Sequence, residues 1–566
     1  MSAHIAAPLT PRTRRVRRAR RESPATLATM APAERARRFD VLQRGLAFAV
    51  AAAEADRAGS TIVVVPSRGV DKWHETAAET QAYEERLLCM ALLLARPNVR
   101  LVYVTSEPVD AATVEHYLSL LGADGAGSAR ARLTLLSAHD ASPRPLCEKL
   151  LDRPLLLHRI RRAIGQPDLA QLVPYSPTAA DRDLALVLGI PMYGADPRHA
   201  RFGTKSGCRE LFAAQGVAHP LGVENVRSLA AAVRAVARIR AAKPAVRELV
   251  MKLDEGVSGD GNAIVDVRGL PRPGAASEPA AIERRLRSMA FEAAGASFEP
   301  YIAKLRARGA VVEERIVGGT LRSPSVQLQI TPRGEVEVLS THDQLLGGPS
   351  GQSFVGCSFP ADPAYARTIT DEAMTVAARL AREGVVGRFA IDFVVVHGAG
   401  GGWEPYAIEI NLRKGATTHP YLALSLLTGG SYDAASARFA TPSGAPRHLV
   451  ATDHLRIDEL RGCGTAELLE IVERRGLRYD GARGSGIVLH MLGAAGGAGR
   501  VGLTAIAESA DAAARLYERA GAVLLEEARA MAEAARATVP ARAGGLAAGR
   551  AVRGAARVAG AAAPCA

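Results

Sequence analysis

Glu409, Asn411 and Arg413 alternate with Ile408, Ile410 and Leu412 in the run AIEINLRKGATTHP, residues 407–420. Period two puts a carboxylate, an amide and a guanidinium on one face of a strand and an apolar set on the other. Gly415 ends the strand, and two hydroxyls and an imidazole follow at Thr417, Thr418 and His419. Upstream, residues 388–396 (RFAIDFVVV) form a second strand signal, and the glycine-rich HGAGGGWEP joins the two as a hairpin. A turn centred between Gly400 and Gly401 sets Asp392 opposite Glu409 and Arg388 opposite Arg413. Like charges facing one another destabilise a strand pair, so two carboxylates beside an amide oxygen suggest a cation between them. All-oxygen ligation suits Mg²⁺, one ion or two, with Mn²⁺ the alternative, and such ions usually also take substrate phosphate oxygens. An exposed hairpin face with solvated charges fits the same pattern.

Two lysines extend the case for an anion. Lys205 opens a helix in GTKSGCRELF, where a helix N-terminus and an ammonium together attract phosphate; a surface lysine in a first turn is the plainer reading. Lys252 lies in the strand LVMKL, followed by DEGVSGDGN and a further strand at residues 263–267. Glycines at such a loop let backbone N–H groups close on an anion, and an ordinary hairpin with a loose tip reads the same way. The run AVVEERI, residues 310–316, is an apolar strand ending in Glu313 and Glu314.

The elements around these residues alternate early and then change character. Residues 61–66, 99–105 and 132–137 are short, β-branched and apolar, with helical stretches at 84–96 and 111–121 between them. This is the signature of a parallel sheet covered by helices. Helix at 146–164, strand at 169–175 and helix at 181–188 continue it. Hairpin strands at 327–330 and 335–339 precede a polar loop at 341–351 and an amphipathic helix at 371–384. After residue 440 a further α/β unit is expected, with helices at 466–475 and 511–538 and strands at 486–491 and 502–506.

The net charge of +13 over 566 residues is concentrated at the ends: residues 1–21 hold seven Arg and residues 541–566 hold four, with no acid in either. The body is close to neutral, so no nucleic-acid partner is expected, although a basic segment could meet RNA or a membrane surface. The apolar run at 45–53 is too short to span a bilayer, and no secretory pattern is visible, so the protein is expected to be cytoplasmic. The six Cys have no C-x-x-C spacing and are expected to be reduced thiols. No Ser-His-Asp or Cys-His spacing points to a hydrolase.

Taken in order, an early Lys, a second Lys before a glycine-rich loop, an E-E strand end and an Asp hairpin running into E-I-N resemble the ATP-grasp superfamily. The stretches KSGCRELFAAQGVAHPLG, VMKLDEGVSGDGNA, GRFAIDFVVV and EINLRKGATTHPYLAL are similar to the pheganomycin-type peptide ligases within it. PYSPTAADRDLALVLGIPMYG upstream, and GSGIVLHMLG and VGLTAIAESADAAARLY downstream, extend the likeness over about residues 60–525. The resemblance implies a multidomain α/β and α+β protein. Its parts would be a basic tail (1–38), a pre-ATP-grasp parallel α/β domain (39–195), a two-subdomain ATP-grasp clamp (196–440), a C-terminal α/β domain (441–538) and an Ala/Gly/Arg-rich tail (539–566).

The same resemblance implies an ATP- and Mg²⁺-dependent ligase joining a small-molecule carboxylate to an amine or peptide through an acyl phosphate. Lys205 and Lys252 would contact ATP phosphates, and Gly256, Ser258, Gly259, Gly261 and Asn262 would form the lid. Glu313, Glu314 and Ile316 would line the adenine and ribose cleft. Asp392, Glu409 and Asn411 would hold the metal, and Arg413 would meet the transferred phosphoryl group. His419 could take the amine proton. Arg388 stands four residues before Asp392, not two as in D-alanine ligases, but the hairpin register keeps it near the metal as a catalytic candidate. The segment between Lys252 and Glu313 is long, which leaves open which of Glu313 and Glu314 meets adenine. An ATP-binding regulatory module without turnover is the alternative on this fold. A carboxylating relative would carry a biotin-attachment Met-Lys-Met, which this sequence lacks.

Overall fold

The computed structural model describes residues 21–69, 77–256, 259–398 and 400–538. Strands Leu133–Ser137, Val99–Thr105, Ser60–Val65 and Ala170–Pro174 form a parallel four-stranded sheet in that order. Its centre is buried on both faces. Val63, Val65, Val102 and Val104 pack into one apolar cluster and Ile62, Val64, Leu101 and Tyr103 into another, as period two requires. The expected helix at 146–164 is two helices, Leu146–Leu151 and Pro154–Ile164, because Pro154 starts the second.

The start of the chain departs from expectation. Residues 24–43, most of which fall in the expected tail, form helices Pro24–Thr29 and Pro32–Gln43, and Leu27, Phe39 and Leu42 are buried in the core under the parallel sheet. The tail segments 1–20 and 539–566 lie outside the described residues.

A five-stranded antiparallel sheet follows, ordered Gly222–Val226, Ala310–Glu314, Glu248–Leu253, Asn262–Asp266 and Ala290–Phe291. Helices Leu229–Ala242, Glu278–Arg287 and Phe298–Arg308 cover it through a core of its own. The largest sheet runs Leu321–Arg322, Gly387–His397, Pro324–Ile330, Val336–Gly347, Ser353–Phe359, His448–Arg456, Arg500–Ala507 and Gly486–His490, with Trp403–Asn411 paired to Gly387–His397. Helix Pro363–Arg382 packs on it.

Two features of this sheet differ from the sequence reading. The expected polar loop at 341–351 is strand as far as Gly347. Asp343, Gln344 and Leu345 pair with Ser358, Cys357 and Gly356, so a ladder partner overrides the weak strand composition. Strand His448–Arg456 pairs with Ser353–Phe359 on one side and Arg500–Ala507 on the other, so the C-terminal strands continue the large sheet without a break. No described helix is long and apolar enough to cross a membrane.

Candidate functional site

The hairpin Gly387–His397 and Trp403–Asn411 turns through glycines, with the Gly398 N–H donating to Gly402 C=O at 2.8 Å and Gly401 at φ +82°. Its register sets Asp392 opposite Glu409 and Ala390 opposite Asn411. Asp392 Oδ1 accepts a 2.6 Å bond from Ser325 Oγ on the neighbouring strand, where Ser325 is its register partner. Asn411 Nδ2 donates to both carboxylates, at 2.8 Å to Asp392 Oδ2 and 3.0 Å to Glu409 Oε1. Glu409 Oε2 is ion-paired with Lys205.

The electrostatics follow from burial beside a like charge. Burial and the facing Glu409 push the Asp392 carboxyl well above its ordinary range. Burial pushes Glu409 the same way, but the Lys205 ammonium outweighs it and the net shift is downward. Burial pulls Lys205 down, Glu409 outweighs that, and Lys205 shifts upward. The arrangement therefore pairs one firm carboxylate with one whose proton is held more tightly than usual. With its amide turned over, Asn411 would offer an oxygen instead of N–H groups, completing a hard donor set that fits Mg²⁺.

Lys205 begins the helix Lys205–Gln215, which Thr204 caps by accepting from Gly207 N–H at 3.0 Å. A Cβ at Gly207 would stand 2.0 Å from the Arg201 carbonyl oxygen, so glycine is required for this close approach. The buried Asp254 fixes the same end: its Oδ1 accepts from Ser206 N–H at 2.8 Å, and its carbonyl accepts from Lys205 N–H at 3.1 Å. The helix N-terminus is thus spent on Asp254, and the Lys205 side chain reaches the hairpin carboxylates instead.

An open cleft is lined by Lys205, Lys252 and the expected lid residues Gly256, Gly259, Gly261 and Asn262. Ser258 lies outside the described residues. Glu313, Glu314 and Ile316 line the same cleft, as do Asp392 and Glu409. Glu313 is held from two sides, by Lys252 at 2.5 Å and Arg209 at 2.8 Å. Glu314 accepts from Leu221 N–H at 2.9 Å and is ion-paired with Lys243. Gly259, at φ +83°, packs where a Cβ would stand 2.8 Å from the Gln352 carbonyl oxygen, and Asn262 Nδ2 donates to Gln352 Oε1 at 3.1 Å. The glycine loop therefore closes against the tip between strands Val336–Gly347 and Ser353–Phe359.

A second cavity begins where the first ends. Asp392 and Glu409 line both, and the second continues past Asn411, Arg413 and Thr417 to Arg68, Tyr83 and Arg86 of the N-terminal unit. Lys414 anchors the intervening loop on that unit: its Nζ donates to Pro174 C=O at 2.7 Å and its N–H to Tyr175 C=O at 3.2 Å.

Two expected site residues are elsewhere. The strand carrying Glu409 ends at Asn411, so the pairing of Arg388 with Arg413 does not form; Arg388 instead faces Gln329 and donates to its Oε1 at 3.1 Å. It lines a small separate pocket with Ser340 and Tyr421 and neither of the two main cavities. His419 is buried on helix Thr418–Thr428, its Nε2 3.0 Å from Asp453 Oδ1 at angles that do not make a hydrogen bond. His490 Nε2 contacts the same oxygen at 2.9 Å. Burial lowers His419 to about 4, which keeps it neutral, and it lines neither main cavity. Arg86, Ser325 and Gln352 escaped the sequence reading. The one available signal was the charged triplet Glu84-Glu85-Arg86 heading the apolar run LLCMALLLA, all three members of which are buried.

A family model described as IQCH-like, ATP-grasp matches residues 198–285 and 285–434, and one described as PGM1 C-terminal domain matches residues 467–520. The L-propargylglycine–L-glutamate ligase of Streptantibioticus cattleyicolor is 33% identical over 478 residues, spanning 82% of this chain and 94% of that protein. IQ motif-containing protein H of Danio rerio is 27% identical over 342 residues, 52% of this chain and 32% of that protein. Among solved structures, the biotin carboxylase–β,γ-ATP complex from Campylobacter jejuni has a TM-score of 0.51 at 14% identity, over 84% of this chain and 96% of that one, a likeness of fold.

Proposed function

This chain belongs to the ATP-grasp superfamily, as a carbon–nitrogen ligase related to an amino-acid–glutamate ligase, and we propose that it joins two amino-acid substrates through an acyl phosphate, releasing ADP and phosphate. The likeness to the propargylglycine–glutamate ligase supports amino acids as the acid and the amine, and a place in specialised metabolism. The observation that carries the mechanism is the meeting of two cavities at Asp392 and Glu409. A nucleotide in the first would present its terminal phosphate where a carboxylate in the second can reach it.

In this reading Lys205 and Lys252 hold the phosphates, Gly256, Gly259, Gly261 and Asn262 close over them, and Glu313, Glu314 and Ile316 face the base and sugar. The substrate carboxylate oxygen attacks the γ-phosphorus, the bond to the bridging oxygen breaks, and ADP departs. The amine then attacks the acyl carbon and phosphate leaves. Such transfer depends on positioning and charge neutralisation. Asp392, Glu409 and Asn411 would hold Mg²⁺, which neutralises charge on the phosphate oxygens. Arg413 supplies a fixed guanidinium beside the transferred group. Closure of the glycine loop on Gln352 excludes water, which would otherwise hydrolyse the acyl phosphate.

The test is ADP and phosphate release from ATP and Mg²⁺ with pooled amino acids, taken singly and in pairs. Release should need two amino acids and fall more than about 100-fold in Glu409→Gln, the scale of losing a charge-stabilising contact. Tight ATP binding with no pool-stimulated release, or full activity in Glu409→Gln, would overturn the ligase mechanism in favour of an ATP-binding regulatory module.

A further inference from the structure

The far wall of the second cavity has no part in the phosphoryl chemistry above, yet it carries two arginines, Arg68 and Arg86. Its charged lining divides by position. Asp392 and Glu409 stand at the hairpin end, and Arg68 and Arg86 stand on the N-terminal unit. Both guanidiniums stack on one ring: Arg86 lies 3.8 Å and Arg68 4.9 Å from the centroid of Tyr83, and Arg500 approaches the same ring at 5.1 Å. Clustered cations repel one another, so a wall of this kind is stable only beside negative charge.

The chain supplies such charge itself: Glu79 pairs with Arg500 at 3.2 Å, and Arg86 is held from an unexpected place. Arg86 is only 7% exposed, and its Nη2 is paired at 2.6 Å with Asp453 on strand His448–Arg456, in the C-terminal part of the large sheet. Its Nη1 donates to Tyr175 OH at 2.8 Å, and its Nε makes no hydrogen bond. Asp453 is itself gripped by His490, and the next residue, His454, lines the cavity. His419, Asp453 and His490 are close enough together to ligate a metal, but a metal there would sit against the Arg86 guanidinium. The cluster is better matched to holding that guanidinium still. A fixed, planar guanidinium on a cavity wall is suited to a carboxylate.

We propose that Arg86, with Arg68, binds a second, non-reacting carboxylate of an amino-acid substrate, and that Asp453 is the positioning residue that holds Arg86 for it. The inference rests on the ligase reading for the location of the reacting carboxylate at the opposite end, beside Arg413. It gives the C-terminal strands a role in choosing the substrate: they set the geometry of the wall that reads it. An acidic amino acid would span the cavity, one carboxylate toward Asp392 and Glu409 with their cation, the other on the arginines. Its amide would set an uncharged group against the two arginines.

The test is calorimetric titration of L-glutamate, L-glutamine and L-isoglutamine into the full chain with Mg²⁺ and a non-hydrolysable ATP analogue. Glutamate should bind about tenfold or more tightly than at least one of its two monoamides, as loss of a charge-assisted bond implies. Arg86→Gln and Arg68→Gln should lose that preference while keeping affinity for the nucleotide analogue, and Asp453→Asn should reduce it. Arg68→Gln leaves the buried Arg86–Asp453 pair intact and so decides the matter if Arg86→Gln does not fold. A wild-type protein with no preference for glutamate, or arginine variants that keep it, would overturn the proposal. Because binding needs no turnover, an intact glutamate preference without ADP release would sink the ligase reading alone.

Discussion

Asp392 lies directly opposite Glu409 across an antiparallel hairpin, and Lys205 ion-pairs with Glu409. The ligand-free fold thus sets two buried carboxyl groups face to face, with Lys205 balancing only one of them. Asp392→Asn should therefore raise stability while abolishing turnover. Relieving a facing like-charge pair contributes about 0.2–1 kcal/mol, and a turned Asn411 amide can accept from the new side chain. Thermal melting without nucleotide should show a higher midpoint, and ADP release should be lost. A lower midpoint would mean that the pair is not strained.

Gly207 is the tightest point behind Lys205. Gly207→Ala places a methyl group against the Arg201 carbonyl, and overpacking of this kind costs about 1–3 kcal/mol. The first turn must shift, carrying Lys205 with it. Denaturant unfolding should show the loss, and the KM for ATP should rise more than the KM for either amino acid. Equal effects on all substrates would point to general loosening of the fold.

Lys414 gives a pH signature. Burial, aided by the nearby Arg388, lowers its ammonium to about 7 from 10.5. Between those values the unfolded chain carries a proton that the folded chain lacks, so this residue makes stability rise with pH across that window. Lys414→Met should flatten the rise by at most about 1.4 kcal/mol per pH unit. Urea unfolding of both proteins at pH 7 and pH 9 measures the difference, and parallel curves would show that Lys414 is charged in the fold.

The hairpin was legible because its information is local. Alternation fixes which side chains share a face, and the glycines mark the turn; the ladder beside the turn pairs Phe393 with Ala407, and a bulge then shifts the register by one, which brings Asp392 opposite Glu409 as the sequence reading had placed them. The same register failed two residues past the strand end, where the Arg413 N–H folds back onto Asn411 C=O at 2.7 Å and Arg388 is left to Gln329. Lys205 was found by its helix start, but its link to Glu409 spans the interval between two units. Arg86 had no local sign of its surroundings, because its partners, Tyr175 and Asp453, both lie far along the chain from it, Tyr175 89 residues on and Asp453 in the C-terminal strands. Strand His448–Arg456 was missed for a similar reason: its period is interrupted by Thr452, Asp453 and His454, of which the first two are buried in the assembled protein and the third lines the second cavity.

The unbroken run of the large sheet into the C-terminal strands also bears on how the protein is made. Strand Ser353–Phe359 meets Val336–Gly347 on one side at once, but its other side waits for His448–Arg456, and that strand waits in turn for Arg500–Ala507. A chain emerging from the ribosome therefore carries an open ladder of backbone donors and acceptors through the synthesis of the whole Asp392–Glu409 hairpin. Such edges pair with other chains. Shortened versions that stop after the hairpin should self-associate, and the last strands act as the built-in cover that ends this exposure.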